Sequence, residues 1–551
     1  MQKHHVLSSR RFLFFSFFEL AVFSIAISAD EPLLVTISKE TTGITTPLKA
    51  NGYPDYLGAL NAFHSKGVNS NNNLAVSIWN TIGTAHMATE LIAPYFEHLQ
   101  IPPPPPNAKY YQSYNQWYQK TLLSQEKTSN LTPNEIDILR KSLDNEYDIC
   151  ILQPWTSKEF PRMARWLKSN QHFLVDLIAA TLRRSRFYNP YVIGSEYKNK
   201  LAPELFGVLL PAASPTRELA RGLRLLANHQ IATGAIVEAI TTSKAIHRLG
   251  RLSTCGASLI EGLVGIAIDR IGFSLDELII KHEGVTDTQL QLLSDNIYAL
   301  PEISKIAEKI DEFERYMFLD ATIWMALNGS QSLTQLADGN SSDLAPALSN
   351  IFKGLTTTLV EWDRILRTGN YWYDQMKKVN SIRSPQQRKL ATDALEKRIS
   401  KAGQSAADPA TIAKQVLFSG KSSGQLLSTQ IANVLVSLLM PTLNPAIHAE
   451  TRSIANSQIT LAAIAVVRHK IQHNRYPDRL SAVKGIYIDE LPKDPLTGRT
   501  LKYLQNENGF LLYSFGANMT DDGGHTRADS DDGDDIVFRV EHHPRQTPKS
   551  K

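Results

Sequence analysis

The stretch Tyr476–Val537 decides the fold of the C-terminal part of this chain: YPDRLSAVKGIYIDELPKDPLTGRTLKYLQNENGFLLYSFGANMTDDGGHTRADSDDGDDIV. A Tyr-Pro turn and a proline-bracketed loop lead into two apolar segments, Leu501–Leu504 and Phe510–Tyr513. Two such segments around an Asn/Gly turn are typical of a β-hairpin. The sequence therefore predicts a hairpin, followed by a loop that holds seven aspartates between Asp521 and Asp535.

The aspartate-rich loop concentrates negative charge, and a bound cation would offset the repulsion between its carboxylates. Seven carboxylates within fifteen residues repel one another, and a hard divalent cation offsets this repulsion by accepting roughly six to eight oxygen ligands. Glycines at four positions let backbone carbonyls turn toward an ion; they are Gly516, Gly523, Gly524 and Gly533. The pattern favours a divalent-cation site, and a solvated acidic loop is the alternative.

A long helix is expected just before this stretch, from about Pro445 to His473. Its apolar residues recur at helical spacing along one stripe; they are Ile454, Leu461, Ile464, Val467 and Ile471. Pro477 keeps Tyr476 out of helical geometry, so the helix must end before it.

The order of these motifs resembles pseudopilin G, the major pseudopilin of type II secretion systems. A helix ending in N-R-Y-P is followed by LPKDPLTGRTLKY, GFLLYSFGAN and an Asp/Gly loop closing on D-I. The resemblance covers about Leu438 to Val537, under a fifth of the chain. It implies a small α+β domain with a long helix, a short antiparallel sheet and one structural Ca²⁺ in the loop.

The resemblance, carried over residue by residue, also implies which residues bind Ca²⁺. The implied ligands are Leu512, Ser514, Asn518, Asp521, Asp522, Asp534 and Asp535. Asn518 stands where the family usually has an aspartate, so an amide oxygen would replace a carboxylate. The extra residues HTRADSDDG, between Gly524 and Asp534, lengthen the loop relative to the family.

The N-terminus has the pattern of an export signal. One lysine and two arginines precede an apolar run, Phe12–Ala29, which stops at Asp30. This pattern predicts that residues 1–29 are a signal peptide or membrane anchor, and that the protein is exported to the periplasm or cell envelope. The segment FSFFEL, which contains Glu19, resembles the start of type IV prepilins without the preceding glycine, so cleavage after Ala29 is preferred.

The long middle, from Asn73 to about Leu443, predicts helices with short Gly or Pro connections. Three helices have clear bounds: one lies between Ser214 and Gly234, one spans Ala235–Leu249 and one spans Leu259–Ile271. The Ser/Gly/Ala-rich stretches 402–410 and 419–424 predict loops. The fold class is thus mainly α: a large helical bundle or helical-hairpin array, then a small α+β pseudopilin-like domain.

A length of 551 residues predicts two to four domains. The expected divisions are a signal or anchor (1–29), an N-terminal helical segment ending in a Pro-rich linker (30–106), one or more helical domains in a repeat-like or bundle arrangement (107–430), the pseudopilin-G-like domain (431–540) and a disordered tail (541–551).

The net charge of only +4 argues against nucleic acid as a partner.

The helical middle contains no recognised catalytic motif. Glu261, Asp320 and His247 are the residues that an enzyme would use, although buried acids and lone histidines are more often structural. The tryptophans are expected in the core; they include Trp79, Trp155 and Trp166. The two cysteines, Cys150 and Cys255, exclude a cysteine-based metal cluster but leave a disulfide open.

The sequence favours a non-enzymatic, exported cell-envelope protein with a calcium-stabilised module and a structural or interaction role linked to type II secretion. Envelope or secretion-system proteins are the expected partners, with membrane contact only through an uncleaved N-terminal segment. Two alternatives stay open: an extracytoplasmic enzyme with its site in the helical region, and a helical repeat scaffold that binds envelope proteins. The enzyme hypothesis predicts a pocket in which acids and histidines converge, and the scaffold hypothesis predicts a curved groove.

Overall fold

The computed structural model describes residues 32–124, 132–194, 202–329, 360–407, 420, 422–440, 443–506 and 509–540. The expected signal segment (1–29) and the tail (541–551) lie outside the described residues, as do residues 507–508 of the hairpin turn. The described chain is mainly α-helical with one small antiparallel sheet near its C-terminus, which confirms the mainly α fold class.

The helices in chain order are α1 (Tyr56–His64), α2 (Leu74–Ile82), α3 (Thr89–Leu99), α4 (Tyr114–Ser124), α5 (Pro133–Leu152), α6 (Pro161–Arg183), α7 (Ala213–Ala232), α8 (Ile236–Ser253), α9 (Leu259–Ile280), α10 (Asp287–Tyr298), α11 (Ile306–Lys309), α12 (Arg315–Asn328), α13 (Trp362–Asn380), α14 (Pro385–Ala407), α15 (Ser423–Leu439) and α16 (Leu443–His473). A π-helical turn, Ile310–Glu314, joins α11 to α12, and short 3₁₀ helices span Glu204–Gly207 and Leu480–Val483. The strands are β1 (Lys502–Asn506), β2 (Gly509–Ser514) and β3 (Ile536–Val540).

Helices α7, α8 and α9 confirm the three helices predicted for this region, but α9 continues past Gly272 to Ile280. Gly272 lies inside α9, where it packs against the ring of His247 in α8, and the helix continues through it. A Cβ at Gly272 would lie 2.6 Å from the imidazole Cε1. The glycine serves close packing between two helices, a role that local sequence cannot distinguish from helix termination.

The prediction of a loop from residue 402 is wrong for residues 402–407, which form the last turns of α14. Gly403 lies against α15, and a Cβ there would overlap the hydroxyl oxygen of Ser437. The small residues therefore permit a close helix–helix contact instead of breaking the helix. The second predicted loop ends earlier than expected, because the hydroxyl of Ser422 caps α15 by accepting a hydrogen bond from the Gln425 amide.

Two hydrophobic clusters form the interior of the described chain. The first includes Trp79, Trp155 and Trp166, each fully buried as predicted, and extends into the C-terminal sheet. The second is built largely from α12, α13 and α15. Helix α16 belongs to both, because Leu443 lies in the second cluster while residues 459–467 lie in the first. The thiols of the two cysteines are both free.

Helix α16 begins two residues before the expected start and ends at His473 as predicted. Its burial differs from a single stripe: Ile454 and Ile471 are about two-fifths exposed, whereas the segment Leu461–Val467 is buried throughout. The reason is that helices pack against one side of α16 and the sheet packs against another. Within the helical stretch Ser423–His473, a window of 18 residues has a mean hydropathy of 1.5, which is apolar enough to cross a membrane by length and composition. Of that window, 62% is buried inside the protein.

The C-terminal sheet has the order β1-β2-β3, with both pairs antiparallel and β2 in the centre. Leu512 of β2 pairs with Tyr503 of β1 and with Phe538 of β3. The predicted hairpin is confirmed as β1 and β2, and β3 adds a strand directly after the aspartate-rich loop. The loop is therefore held at both ends by the same sheet.

Candidate metal centre

Three of the seven loop aspartates converge in space: Asp522, Asp534 and Asp535. One carboxylate oxygen from each lies within 4.8 Å of those from the other two. The local fold explains the meeting, because β3 fixes the residues just before Ile536 and a sharp turn brings Asp522 back to them. Gly523 and Gly524 make this turn with φ values of 69° and 78°, which glycine adopts without strain.

Asp535 is the most buried of the three, at 4% exposure. Its Oδ2 accepts a hydrogen bond from the Gly524 amide at 2.8 Å, whereas its Oδ1 is buried and has no hydrogen-bond partner within the described residues. Burial raises the pKa of Asp535 to about 6, and the nearby charges of Asp522 and Asp521 act in the same direction, whereas the backbone amides of Gly524 and Gly516 act against it. A buried carboxylate oxygen without a donor is costly, so this position calls for a positive ligand.

Asp534 lies against Gly516 at the end of β2. Its Oδ2 accepts a hydrogen bond from the Asn518 amide at 3.1 Å, and its Oδ1 is a second buried carboxylate oxygen without a partner in the described chain. A Cβ at Gly516 would overlap this Oδ1. Gly516 therefore makes room for the carboxylate, a role in addition to the backbone freedom that the sequence suggested.

Asp522 completes the triad and holds it together. Its Oδ2 accepts a hydrogen bond from the backbone amide of Asp534 at 3.1 Å and another from the side-chain amide of Asn518 at 3.0 Å. The Oδ1 of Asn518 accepts from the Thr520 amide at 2.6 Å. Asn518 thus borders the triad as a hydrogen-bond donor in this arrangement.

The other predicted ligands lie outside the triad. The Asp521 carboxylate accepts a hydrogen bond from the Tyr513 hydroxyl at 2.9 Å and forms an ion pair with Lys502 at 3.2 Å. Ser514 donates its hydroxyl to Asp494 at 2.8 Å. Leu512 lies in the central strand, where each carbonyl points toward a neighbouring strand.

Asp494, from the LPKDP segment, is a residue whose role the sequence did not reveal. It is only 2% exposed and accepts hydrogen bonds from the Leu496 amide, the Thr497 hydroxyl and the Ser514 hydroxyl, each at 2.8 Å. It therefore fastens the proline-bracketed loop to the end of β2, next to the aspartate-rich loop. The only clue in the sequence was its position between two prolines.

The triad fits a hard divalent cation. Its ligand atoms are all carboxylate oxygens, and the negative charge is concentrated on three carboxylates that lie close together. Two buried oxygens, on Asp534 and Asp535, receive no hydrogen bond from the described residues. Oxygen-only donor sets suit Ca²⁺ or Mg²⁺, whereas zinc and copper sites use nitrogen or sulfur ligands more often. Carbonyl oxygens and water would complete the six to eight ligands that Ca²⁺ takes.

The three residues considered for an enzyme lie in three separate buried networks. Glu261 is part of the capping box of α9 and accepts a hydrogen bond from the Tyr191 hydroxyl at 2.8 Å. Asp320 accepts from the Leu205 amide at 3.0 Å, and burial raises its pKa to about 6. His247 contacts two aspartates of α9. The structure does not bring these three side chains together.

No known protein family, curated protein or solved structure matches this chain.

Proposed function

We propose that Asp522, Asp534 and Asp535 form a Ca²⁺ site, and that this site stabilises the C-terminal α+β module of a non-catalytic cell-envelope protein. The observation that carries the proposal is a pair of buried carboxylate oxygens, on Asp534 and Asp535, for which the described part of the chain supplies no hydrogen-bond donor. Bound Ca²⁺ supplies the positive charge that offsets their desolvation and mutual repulsion.

The remaining predicted ligands have secondary parts in this proposal. Asn518 and Asp521 border the triad. To bind an ion, the Asn518 oxygen would give up the Thr520 amide, and the Asp521 carboxylate would give up the Tyr513 hydroxyl or Lys502. Leu512 and Ser514 remain candidates through their oxygens at the end of β2. Gly516 and Gly524 shape the cradle, the first by its missing side chain and the second by donating to Asp535.

Thermal unfolding of the full chain with and without Ca²⁺ tests the site. A ligand at one hundred times its dissociation constant stabilises the folded state by about 2.7 kcal/mol, so we expect Ca²⁺ to raise the melting temperature of this long chain by roughly 2–3 °C. The Asp535→Asn variant should lose most of this rise. Asp531→Asn, which removes an exposed carboxylate of the same loop, should keep it. Equal melting temperatures with and without Ca²⁺ would rule the site out.

The cellular part of the proposal rests on the N-terminal sequence and on the motif order of the C-terminal module. An export signal over residues 1–29 would place the protein in the periplasm or cell envelope, where it would have a structural or interaction role with envelope or type II secretion proteins. A C-terminal fusion to alkaline phosphatase, which is active only after export, should be active. Deletion of residues 1–29 should abolish that activity, and an active fusion after the deletion would contradict export through this segment.

A further inference from the structure

A cleft of about 710 Å³ lies between α5, α7, α9 and α16. Arg270 and Arg452, at one side of it, also line a second cleft that reaches Asp534 and Asp535. Its charged lining is strongly one-sided, since it consists of five arginines and a single glutamate: Arg217, Arg221, Arg224, Arg270, Arg452 and Glu277. The net charge of the whole chain is only +4, so this excess of positive charge is a local feature of the cleft.

The arginines come from three helices that are distant in sequence. Arg217, Arg221 and Arg224 follow the spacing i, i+4 and i+7, which places them on one face of α7. Arg270 comes from α9 and Arg452 from α16, and both line the same cleft. The cluster is therefore produced by the packing of the helices and not by a basic run in the sequence.

Arg224 makes fewer hydrogen bonds than its buried guanidinium group can donate. Its side chain is only 4% exposed, and its Nε donates to the Ile151 carbonyl at 3.2 Å. Its Nη1 is buried with no hydrogen-bond partner among the described residues. Burial lowers the pKa of Arg224 to about 10, although the charges of Asp276 and Glu277 act in the opposite direction. A buried guanidinium nitrogen without an acceptor is costly, which points to an anion missing from its surroundings.

Nearby acids neutralise only part of the cluster. Glu277 accepts a hydrogen bond from Lys281, and Arg221 pairs with Glu218. No ion pair joins Arg217, Arg270 or Arg452 to a carboxylate in the part of the chain that the structure describes.

Arg452 shows the resulting repulsion. Burial and the neighbouring charge of Arg270 hold its pKa below the ordinary range, while Asp534 acts in the opposite direction. Two guanidinium groups close together in a partly buried cleft repel one another. An anion between them would convert this repulsion into attraction.

Most of the remaining lining of the cleft is apolar, and Ser274, Ser453 and Asn456 add polar groups. Its apolar lining includes Ile151, Leu152, Leu263, Ile266, Ile271 and Leu278. Leu152 is 71% exposed, although leucine is usually buried. Apolar walls with a few convergent charged groups are the common composition of small-molecule sites, and the volume of this cleft lies within their usual range.

We propose that this cleft binds a small organic anion, in which a phosphate or carboxylate group contacts the arginines and an apolar body lies against the leucines and isoleucines. Arginine suits this task because its planar fork of N–H donors matches phosphate and carboxylate oxygens in pairs.

Isothermal titration of the full chain with n-hexyl phosphate tests the proposal, with inorganic phosphate, n-hexanol and a hexaglutamate peptide as comparison ligands. We expect n-hexyl phosphate to bind at least tenfold more tightly than each of the other three. The Arg270→Gln/Arg452→Gln double variant should weaken its binding about tenfold or more, because charge-assisted hydrogen bonds are lost. Arg217→Gln, which is remote from the aspartate-rich loop, should weaken it in the same direction.

The matched control is the Arg140→Gln/Arg165→Gln double variant, which removes two exposed arginines outside the cleft and should leave binding unchanged. If the double variant of the cleft does not fold, Arg217→Gln alone decides the result. Equal binding by wild type and Arg217→Gln, or equal affinity for n-hexyl phosphate and n-hexanol, would overturn the proposal. If inorganic phosphate binds as tightly as n-hexyl phosphate, the claim that the ligand has an apolar body is wrong. If hexaglutamate binds more tightly than n-hexyl phosphate, the claim that the ligand is a small molecule is wrong.

Discussion

His247 lies between two carboxylates in the interior of the helical region. Its Nδ1 is 2.6 Å from Asp269 Oδ1, and its Nε2 is 3.0 Å from Asp276 Oδ2. Both aspartates are fully buried. Ser453 of α16 donates its hydroxyl to Asp269 at 2.8 Å, and Ser243 donates to Asp276. The network thus fastens α8, α9 and α16 to one another.

The charge on His247 makes the stability of the protein depend on pH. Burial alone would lower the pKa of His247, but the charge of Asp276 and the hydrogen bonds to both aspartates raise it to about 9 from 6.5. The folded state therefore retains a proton that the unfolded state releases. This contribution to stability is complete below pH 6.5 and is lost as the pH rises through 9.

We expect the His247→Gln variant to be less stable than wild type by about 3–5 kcal/mol at neutral pH, because both buried carboxylates lose a hydrogen-bonded positive partner, although Asp269 keeps Arg251 at 3.3 Å. In wild type, the unfolding free energy should fall by about 3 kcal/mol across the titration window, and in the variant this fall should be absent. Urea unfolding at several pH values measures both quantities. His172→Gln, at an exposed histidine, is the control and should keep the wild-type pH dependence.

At the scale of elements, glycines decide how closely α8 and α9 approach each other. Gly265 of α9 faces Gly250 of α8, and a Cβ at Gly265 would lie 2.6 Å from the Gly250 carbonyl oxygen and 2.8 Å from the Thr254 amide nitrogen. These neighbours are backbone atoms, so they cannot move aside as a flexible side chain can. The close approach also sets the distance between His247 and its two aspartates.

We expect Gly265→Ala to destabilise the protein by about 2 kcal/mol or more, although alanine favours helices over glycine, because the added methyl group forces the two backbones apart. Chemical denaturation gives the free energy of unfolding. The control is Ile260→Ala on the same helix, where the isoleucine is 59% exposed and the change should cost less than about 1 kcal/mol. A Gly265→Ala variant as stable as wild type would show that the helices can separate without cost.

At the scale of the whole molecule, α16 connects the helical region and the sheet through a shared core. Phe510 and Phe538 of the sheet lie in the same cluster as Leu290 and Leu293 of α10. The ion pair between Arg468 and Asp287, with Nε and Oδ1 2.8 Å apart, joins α16 to α10 beside this cluster. The sheet therefore depends on the helical region for burial of its apolar face.

This shared core sharpens the expectation for Ca²⁺. Because the aspartate triad adjoins a sheet that shares its core with the helices, Ca²⁺ should shift the main unfolding transition of the chain and not a separate minor one. Differential scanning calorimetry distinguishes the two outcomes. A Ca²⁺-dependent transition well separated from the unfolding of the helices would show that the module is thermally independent of the helical region.

Features that depend on neighbours in sequence were predictable. The helices α7, α8 and α9 follow from apolar periodicity, the hairpin follows from two β-type segments around an Asn/Gly turn, and the position of the acidic loop follows from its composition. The predicted helix end at Gly272 and the predicted loop over residues 402–407 were wrong. A glycine that ends a helix and a glycine that packs against another helix cannot be distinguished from local sequence.

The sequence by itself determined that the chain is mainly helical, that a β-hairpin follows the last helix, and that a charge-dense loop follows the hairpin. Only the tertiary structure decided that Asp522, Asp534 and Asp535 converge while Asp521 pairs with Lys502. It alone gathered the arginines of α7, α9 and α16 into one cleft. The physical reason is that periodicity and turn chemistry act over a few residues, whereas charge clusters form wherever packing brings distant segments together.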